Sequence, residues 1–201
     1  MCGDLGMSVA EAYAGAIIRK PMSWEEYLEL PEKPKAEWVD GVAFIMSPAR
    51  KEHISIASRL ERLLWDSLDN VDIYREVAYK VLNRSRIPDV TVVEQNQQDE
   101  PEFVTIPPLI VLEVLSRSTR KTDLFVKSEE YLAGGAHQYW IADPEGWLMV
   151  RENTPDGWKL VTNIDKFNPV AQVAVKGHGT VTLNYVEIFG DPPKKTSSDF
   201  A

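Results

Sequence analysis

The chain has 201 residues, of which 44% are hydrophobic and 26% are charged, which suits one globular domain better than two. Its 22 Lys and Arg residues against 31 Asp and Glu residues give a formal net charge of −9, which argues against a general polyanion-binding surface but leaves room for a local basic cleft. The single cysteine, Cys2, excludes an intramolecular disulfide and a cysteine-cluster zinc site, and the three histidines lack a local metal-binding spacing.

The two ends of the chain differ in composition from its body. Residues 1–20 are small, rich in Gly and Ala, and make a poor secretion signal, so we interpret them as an N-terminal arm. Residues 191–201 have the composition of a disordered tail. No apolar run approaches the roughly 20 residues that span a membrane. We therefore expect residues 21–190 to form one domain of a cytoplasmic protein without membrane contact.

The body opens with helix and hairpin patterns. Ser23 and Glu26 form a capping box, which predicts a short helix. Asp40-Gly41 joins two short apolar runs and predicts a hairpin, because both turn positions need a positive φ angle. Ser47-Pro48 is typical of a helix start, and one buried stripe continues from there to about Leu68.

Strand patterns dominate the rest of the chain. Residues 71–82 indicate one strand and Asn83–Arg86 a basic turn, while residues 107–115 are almost wholly apolar, as a central strand covered on both faces should be. Residues 119–132 indicate a helix that Gly134-Gly135 ends. Further strands are predicted at 87–93, 138–143, 147–153, 157–162, 170–176 and 180–185. This order predicts an α/β or α+β fold, with a mixed β-sheet flanked by helices and additional antiparallel C-terminal strands.

Glu113 is the most informative residue, because it lies inside the apolar central strand. A buried carboxylate is unfavourable unless it is protonated, paired with a cation or bound to a metal, so a structural ion pair and a functional role both stay open. Asp89 follows Pro88 at the start of the preceding strand, and alone it would indicate only a turn. Two carboxylates on adjacent strands can, however, lie close enough to hold a hard divalent cation such as Mg²⁺.

Lys127 is a third candidate, on the predicted 119–132 helix. Its neighbours Leu124 and Tyr131 place it on or beside the apolar face. Taken alone, it would be expected to bury its stem and hold its ammonium group in solvent. Beside a carboxylate pair, an inward lysine can offset negative charge, orient a water molecule and stabilise the oxyanion of a phosphoryl transition state.

Several short segments follow one another in a specific order and spacing: Ser23-Trp-Glu-Glu-Tyr27, Glu37-Trp-Val-Asp-Gly41, Met46-Ser-Pro48, Ile87-Pro-Asp-Val90, Val111-Leu-Glu-Val-Leu-Ser116, Ser118-Thr119, Asp123, Lys127, Tyr131, Gly135-Ala-His-Gln-Tyr-Trp140 and Asp143-Pro144. Together they resemble the PD-(D/E)XK nuclease superfamily. More narrowly, they resemble a bacterial family of proposed restriction endonucleases that is often described only as a conserved domain of unknown function. The resemblance covers about residues 21–162 and implies a restriction-endonuclease-like core.

The resemblance also implies roles for single residues. Asp89 and Glu113, with the backbone carbonyl of Val114, would hold Mg²⁺ or Mn²⁺. Position 115, where the superfamily has its lysine, is Leu115 in this chain. In the narrower family the lysine comes from the following helix, which indicates Lys127. This lysine would orient or deprotonate the attacking water, and Glu37 would assist with a second ion or the water network. The further departures, Arg117 for Pro and Gln138 for Glu, lie outside this triad.

Other residues have open interpretations. Glu37 resembles the extra acidic residue that such nucleases draw from an early element, and a surface glutamate is an equal alternative. His53 is interpreted as a core or cap histidine, with an active-site neighbour as the alternative. Three tryptophans are expected in the core or a dimer contact: Trp140, Trp147 and Trp158. Five basic residues would concentrate DNA affinity near the site, unless they only form solvated turns: Arg84, Arg86, Arg117, Arg120 and Lys121.

The implied function is a metal-dependent endonuclease that hydrolyses DNA phosphodiester bonds. The alternative is a catalytically inactive nuclease-fold module for protein or nucleic-acid interaction. The acidic composition favours the module, whereas the complete set of Asp89, Glu113 and Lys127 speaks against it. The resemblance also makes a homodimer a reasonable expectation.

Overall fold

A computed structural model describes residues 18–96, 100–117 and 119–190. The strands are β1 (Ile18–Pro21), β2 (Ala36–Val39), β3 (Val42–Ile45), β4 (Val71–Arg75), β5 (Ala78–Val81), β6 (Arg84–Arg86), β7 (Val90–Glu94), β8 (Phe103–Val104), β9 (Ile110–Val114), β10 (Gln138–Asp143), β11 (Trp147–Thr154), β12 (Gly157–Asp165), β13 (Val170–Val175) and β14 (Gly179–Asn184). The helices are α1 (Trp24–Leu28), α2 (Lys51–Ser67), a π-helical turn (Thr122–Lys127) that runs into α3 (Ser128–Ala133), and α4 (Tyr185–Phe189).

The strands form two large mixed sheets and a separate hairpin. The first sheet has the order β1-β3-β2-β6-β5-β8, and only β5 and β8 are parallel. The second sheet has the order β12-β11-β10-β9-β7-β4, and only β9 and β10 are parallel. The antiparallel strands β13 and β14 form a two-stranded sheet of their own. The predicted class, mixed sheet with flanking helices and extra C-terminal antiparallel strands, is confirmed, with the strands divided between two sheets.

The central strand β9 separates two layers of the core. Every residue of β9 is buried, as its apolar sequence predicts. The face that carries Leu112 packs against the buried stripe of α2. The opposite face, which carries Val111, packs against residues of the first sheet and of α3, including Tyr79 and Tyr131. Glu113 alternates with Leu112, so it points into this second layer.

Two local predictions at the start of the domain are confirmed. Glu26 N donates to Ser23 Oγ and Ser23 N donates to Glu26 Oε2, so the capping box of α1 is complete. Asp40 and Gly41 have φ angles of 49° and 84°, which is the turn that the Asp-Gly pair predicts.

Three predicted boundaries are wrong, each because pairing with distant residues decides the local structure. The 71–82 segment is two strands in different sheets, divided at Glu76, whose φ angle is 49°. The turn predicted at Asn83–Arg86 is largely strand β6. Helix α2 begins at Lys51 rather than at Ser47-Pro48, because Met46 N donates to the Lys35 carbonyl and prolongs the hairpin.

The predicted arm and tail fall largely outside the described residues, which exclude 1–17 and 191–201. Residues 18–20, assigned to the arm, lie in β1 and pair with β3. Trp140 is fully buried, and Trp147 and Trp158 pack partly buried against the second layer. Among the helices that the structure describes, none is long and apolar enough to cross a membrane.

Candidate active site

The antiparallel pairing of β7 with β9 brings the two predicted metal ligands together. Val90 lies opposite Leu112, so Asp89, directly before β7, lies beside Glu113. Val114 N donates a 2.8 Å hydrogen bond to Asp89 Oδ2, which fixes that carboxylate against the end of β9. Both side chains are almost inaccessible, with Asp89 4% and Glu113 2% exposed.

Lys127 joins the carboxylates from the π-helical turn. Its Nζ lies 2.8 Å from Glu37 Oε1, 2.9 Å from Glu113 Oε1 and 3.1 Å from Asp123 Oδ1. Tyr131, one helical turn later, donates a 2.8 Å hydrogen bond to the same oxygen of Glu113. Lys127 is only 3% exposed, so a solvent-directed ammonium group is ruled out.

Glu37 belongs to this cluster rather than to the surface. It lies on β2 and is fully buried. Besides Lys127, it accepts a 3.0 Å hydrogen bond from Arg86 Nη1 and a 3.3 Å bond from Ile87 N. The surface alternative for Glu37 is therefore wrong. The first sheet supplies Glu37 and the second supplies Glu113, so the site lies between the two sheets.

Asp89 has two basic neighbours of its own. Lys35 Nζ lies 3.2 Å from Oδ1, and His53 Nε2 lies 3.1 Å from Oδ2. His53 is therefore a neighbour of the site, not a core or cap histidine. Lys35 was not predicted, although it lies two residues before Glu37, and the alternation of a strand would place both on one face. That spacing is the signal that could have indicated it.

Of the five basic residues expected to attract DNA, three form ion pairs with acidic residues of the same chain. Arg86 is fully buried and donates two 2.6 Å hydrogen bonds to the Glu130 carboxylate. Arg84 pairs with Glu130 and Asp40. Arg120 pairs with the buried Asp143. The remaining two of the five, Arg117 and Lys121, are exposed.

Burial and neighbouring charges shift the pKa values of the two central carboxyl groups, Glu113 and Asp89, in opposite directions. Burial raises the pKa of Glu113 to about 7, against the opposing effect of the Lys127 ammonium. Burial also acts to raise the pKa of Asp89, but Lys35, His53 and the Val114 amide outweigh it and hold that pKa well below its usual range. Asp89 is thus ionised at neutral pH, whereas Glu113 is close to half protonated.

Burial and neighbouring charges also determine the protonation state of Lys127. Burial acts to lower its pKa, but Asp123, Glu113 and Glu37 together hold the pKa well above its ordinary value. Lys127 therefore carries an ammonium group at neutral pH. In this state it can donate hydrogen bonds and stabilise negative charge, and it cannot accept a proton.

The donor set fits one hard divalent cation. Four buried carboxylates, those of Glu37, Asp89, Glu113 and Asp123, meet the ammonium groups of Lys35 and Lys127. Arg86 also contacts Glu37 but is bidentate to Glu130.

Full ionisation of these four carboxylates leaves negative charge in excess. Over the described ranges, no three His, Cys, Asp or Glu side chains form a ready metal-binding group. Mg²⁺ does not need one, because it binds through one or two carboxylates together with water and substrate phosphate.

Comparison with known proteins places the chain in a family. A family model described as "Uma2: Putative restriction endonuclease" matches residues 24–163. The chain belongs to the Uma2 family. A solved structure described as a putative nuclease belonging to DUF820, from Anabaena variabilis ATCC 29413, has a TM-score of 0.67 and 18% sequence identity, and the match covers 84% of this chain and 98% of that one. A search of curated proteins found no match.

The Uma2 match confirms the family that the motifs predicted. Its range contains every proposed site residue, from Glu37 to Lys127. The Anabaena structure shows a shared fold, and that fold is the nuclease-like core expected from the sequence. Restriction-endonuclease-like proteins generally use divalent metal ions, so the oxygen-rich site agrees with Uma2 membership.

Proposed function

We propose that the protein is an endonuclease that hydrolyses DNA phosphodiester bonds with Mg²⁺ or Mn²⁺. The observation that supports this most strongly is the convergence of Glu37, Asp89, Glu113 and Lys127 in one buried cluster between two sheets. Asp89 and Glu113, with the Val114 carbonyl oxygen, would hold the metal. When bound, the ion would polarise the phosphate and acidify a water molecule.

Lys127 has a defined part in this proposal. Its three donors face Glu37, Glu113 and Asp123, and the donor that faces Glu113 would become available once that carboxylate holds the metal. With that donor, the ammonium group would orient the attacking water and stabilise the charge that develops on the phosphate. It does not deprotonate the water. Glu37 holds Lys127 in place from the first sheet, and Tyr131 holds Glu113 from α3. Each catalytic side chain is thus oriented by a buried partner.

Metal calorimetry and a cleavage assay test the proposal together. We expect wild type to bind Mn²⁺ and cleave DNA, and the folded Asp89→Asn/Glu113→Gln double variant to do neither. Lys127→Met is expected to lower kcat by about 10²–10³-fold. The matched control is Glu152→Gln/Asp156→Asn, which removes two exposed carboxylates from the β11–β12 hairpin. Cleavage by the folded double variant would refute the assignment of these residues.

A non-catalytic nucleic-acid or protein interaction module is the second candidate. The use of Arg84, Arg86 and Arg120 in internal ion pairs favours it, because these cations are less available to a phosphate backbone. Such a module has no need of a metal ion at Asp89. Wild type that binds neither Mn²⁺ nor Mg²⁺ and cleaves no DNA would support this candidate.

A further inference from the structure

The two lysines of the site differ in depth and in partners. Lys127 is buried and is shared by three carboxylates. Lys35 lies at the solvent-facing edge of the site, which we call the rim. Its side chain is 21% exposed, and its ammonium group contacts Asp89. Because Asp89, Glu113 and Lys127 are each at most 4% exposed, a substrate must approach them past the rim.

The ammonium group of Lys35 contacts an Asp89 oxygen that a bound metal ion would also need. It lies against Asp89 Oδ1, while His53 and the Val114 amide lie against Oδ2. A divalent cation bound to Asp89 has the same sign of charge as Lys35 and would repel it from that oxygen. The lysine must therefore find another anion when the metal binds.

The local structure allows Lys35 to change partner without unfolding. Its backbone is fixed, because the Lys35 carbonyl accepts a 2.8 Å hydrogen bond from Met46 N. Its side chain is a flexible four-carbon stem with a mobile ammonium group. The other carboxylates whose charge acts on Lys35 already have partners, because Glu76 pairs with Lys33 at 2.5 Å and both Glu37 and Glu113 pair with Lys127. The incoming phosphodiester is thus the anion that best replaces Asp89.

We infer that Lys35 is a substrate-binding residue that leaves Asp89 when the metal binds and then contacts a non-bridging oxygen of the DNA phosphate. The inference rests on the proposed function and extends it to a residue outside the Asp89, Glu113 and Lys127 set. In the metal-free protein, Lys35 holds Asp89 ionised and in place. In the working enzyme, it binds substrate.

This change of partner predicts that removing the Lys35 side chain strengthens metal binding and weakens DNA binding. In Lys35→Ala, Mn²⁺ no longer competes with a cation for Asp89, so we expect Mn²⁺ to bind on the order of tenfold more tightly. The same variant loses a phosphate contact, so its affinity for DNA and its kcat/KM both fall on the order of tenfold. A lysine that only maintained the local structure would weaken metal binding and DNA binding together.

The experiment measures metal and DNA separately in the full chain. Calorimetry gives the Mn²⁺ affinity without DNA. Fluorescence anisotropy with a short fluorescein-labelled DNA duplex, in Ca²⁺ instead of Mn²⁺, gives DNA affinity without turnover. Lys33→Ala is the matched control, because Lys33 is exposed and pairs with Glu76 instead of Asp89. Lys35→Arg keeps the charge and should restore DNA affinity. Circular dichroism confirms that each variant is folded.

The outcomes separate this inference from the proposed function. The inference is supported if Lys35→Ala binds Mn²⁺ more tightly and DNA more weakly while Lys33→Ala changes neither affinity. This result would stand even if wild type cleaves no DNA and the proposed hydrolysis fails. Weaker binding of both, or unchanged DNA affinity, overturns it while wild-type cleavage leaves the proposed function standing. Wild type that binds no Mn²⁺ overturns it as well.

Discussion

Replacing Glu113 by glutamine should stabilise the metal-free protein. The glutamate is 2% exposed and lies near Asp123 and Asp89, and burial raises its pKa from 4.5 to about 7. The folded state therefore binds the proton more tightly than the unfolded state, so the stability that the protonated group provides is lost as the pH rises from 4.5 to about 7. At about 1.4 kcal/mol per pKa unit, the loss is about 3 kcal/mol.

Glu113→Gln avoids this loss because the amide has no charge, and its oxygen can still accept hydrogen bonds from Lys127 and Tyr131. Urea unfolding in EDTA should show similar stabilities for wild type and variant near pH 4.5, and a variant more stable by about 3 kcal/mol above pH 7. Added Mn²⁺ should stabilise wild type alone. A variant less stable than wild type above pH 7 in EDTA would refute the reasoning, since the carboxylate would then contribute favourably to the fold.

Three further predictions concern protons, the buried ion pair and a helix cap. Mn²⁺ binding just below pH 7 should release up to one proton from Glu113, so the calorimetric enthalpy should vary with the ionisation enthalpy of the buffer; an enthalpy independent of buffer would contradict this. Glu130→Gln should lower the free energy of unfolding by about 2–3 kcal/mol, because the buried Arg86 loses a charged hydrogen-bond acceptor while its contact with Glu37 remains. Urea unfolding measures the loss, and a loss below about 1 kcal/mol would contradict this reasoning. Ser23→Ala should cost about 1 kcal/mol in the same assay by removing the cap of α1, whereas Ser23→Asp should retain stability.

Local sequence signals predicted much of the fold. The Asp40-Gly41 turn, the capping box at Ser23 and the buried strand Ile110–Val114 depend on residues close in the chain, and all are confirmed. Glu113 stood out for the same reason, since a carboxylate within an apolar run is locally anomalous. Its partner Asp89 followed from the expectation that neighbouring strands pair.

The features that were missed depend on residues far apart in the chain. Arg86 can be buried in a strand because Glu130, 44 residues later, and Glu37 on β2 balance its charge. Lys35 meets Asp89 across 54 residues. The Arg86 contact leaves no trace in hydropathy or spacing, so Asn83–Arg86 had the composition of a solvated turn. For Lys35, the two-residue spacing from Glu37 is the one local signal that it faces the site. Tertiary pairing outweighed local propensity in both cases.

The π-helical turn from Thr122 to Lys127 gives this part of the site a tolerance to changes of chain length. A π turn accommodates one residue more than an α-helical turn does. In a regular α-helix, removing one residue would rotate every later position by about 100°. Removing one residue from the π turn would instead restore a regular α-helical turn and leave Lys127 in nearly the same direction. A related chain with a one-residue gap between Thr122 and Val126 would thus still direct its lysine toward the residue that matches Glu113.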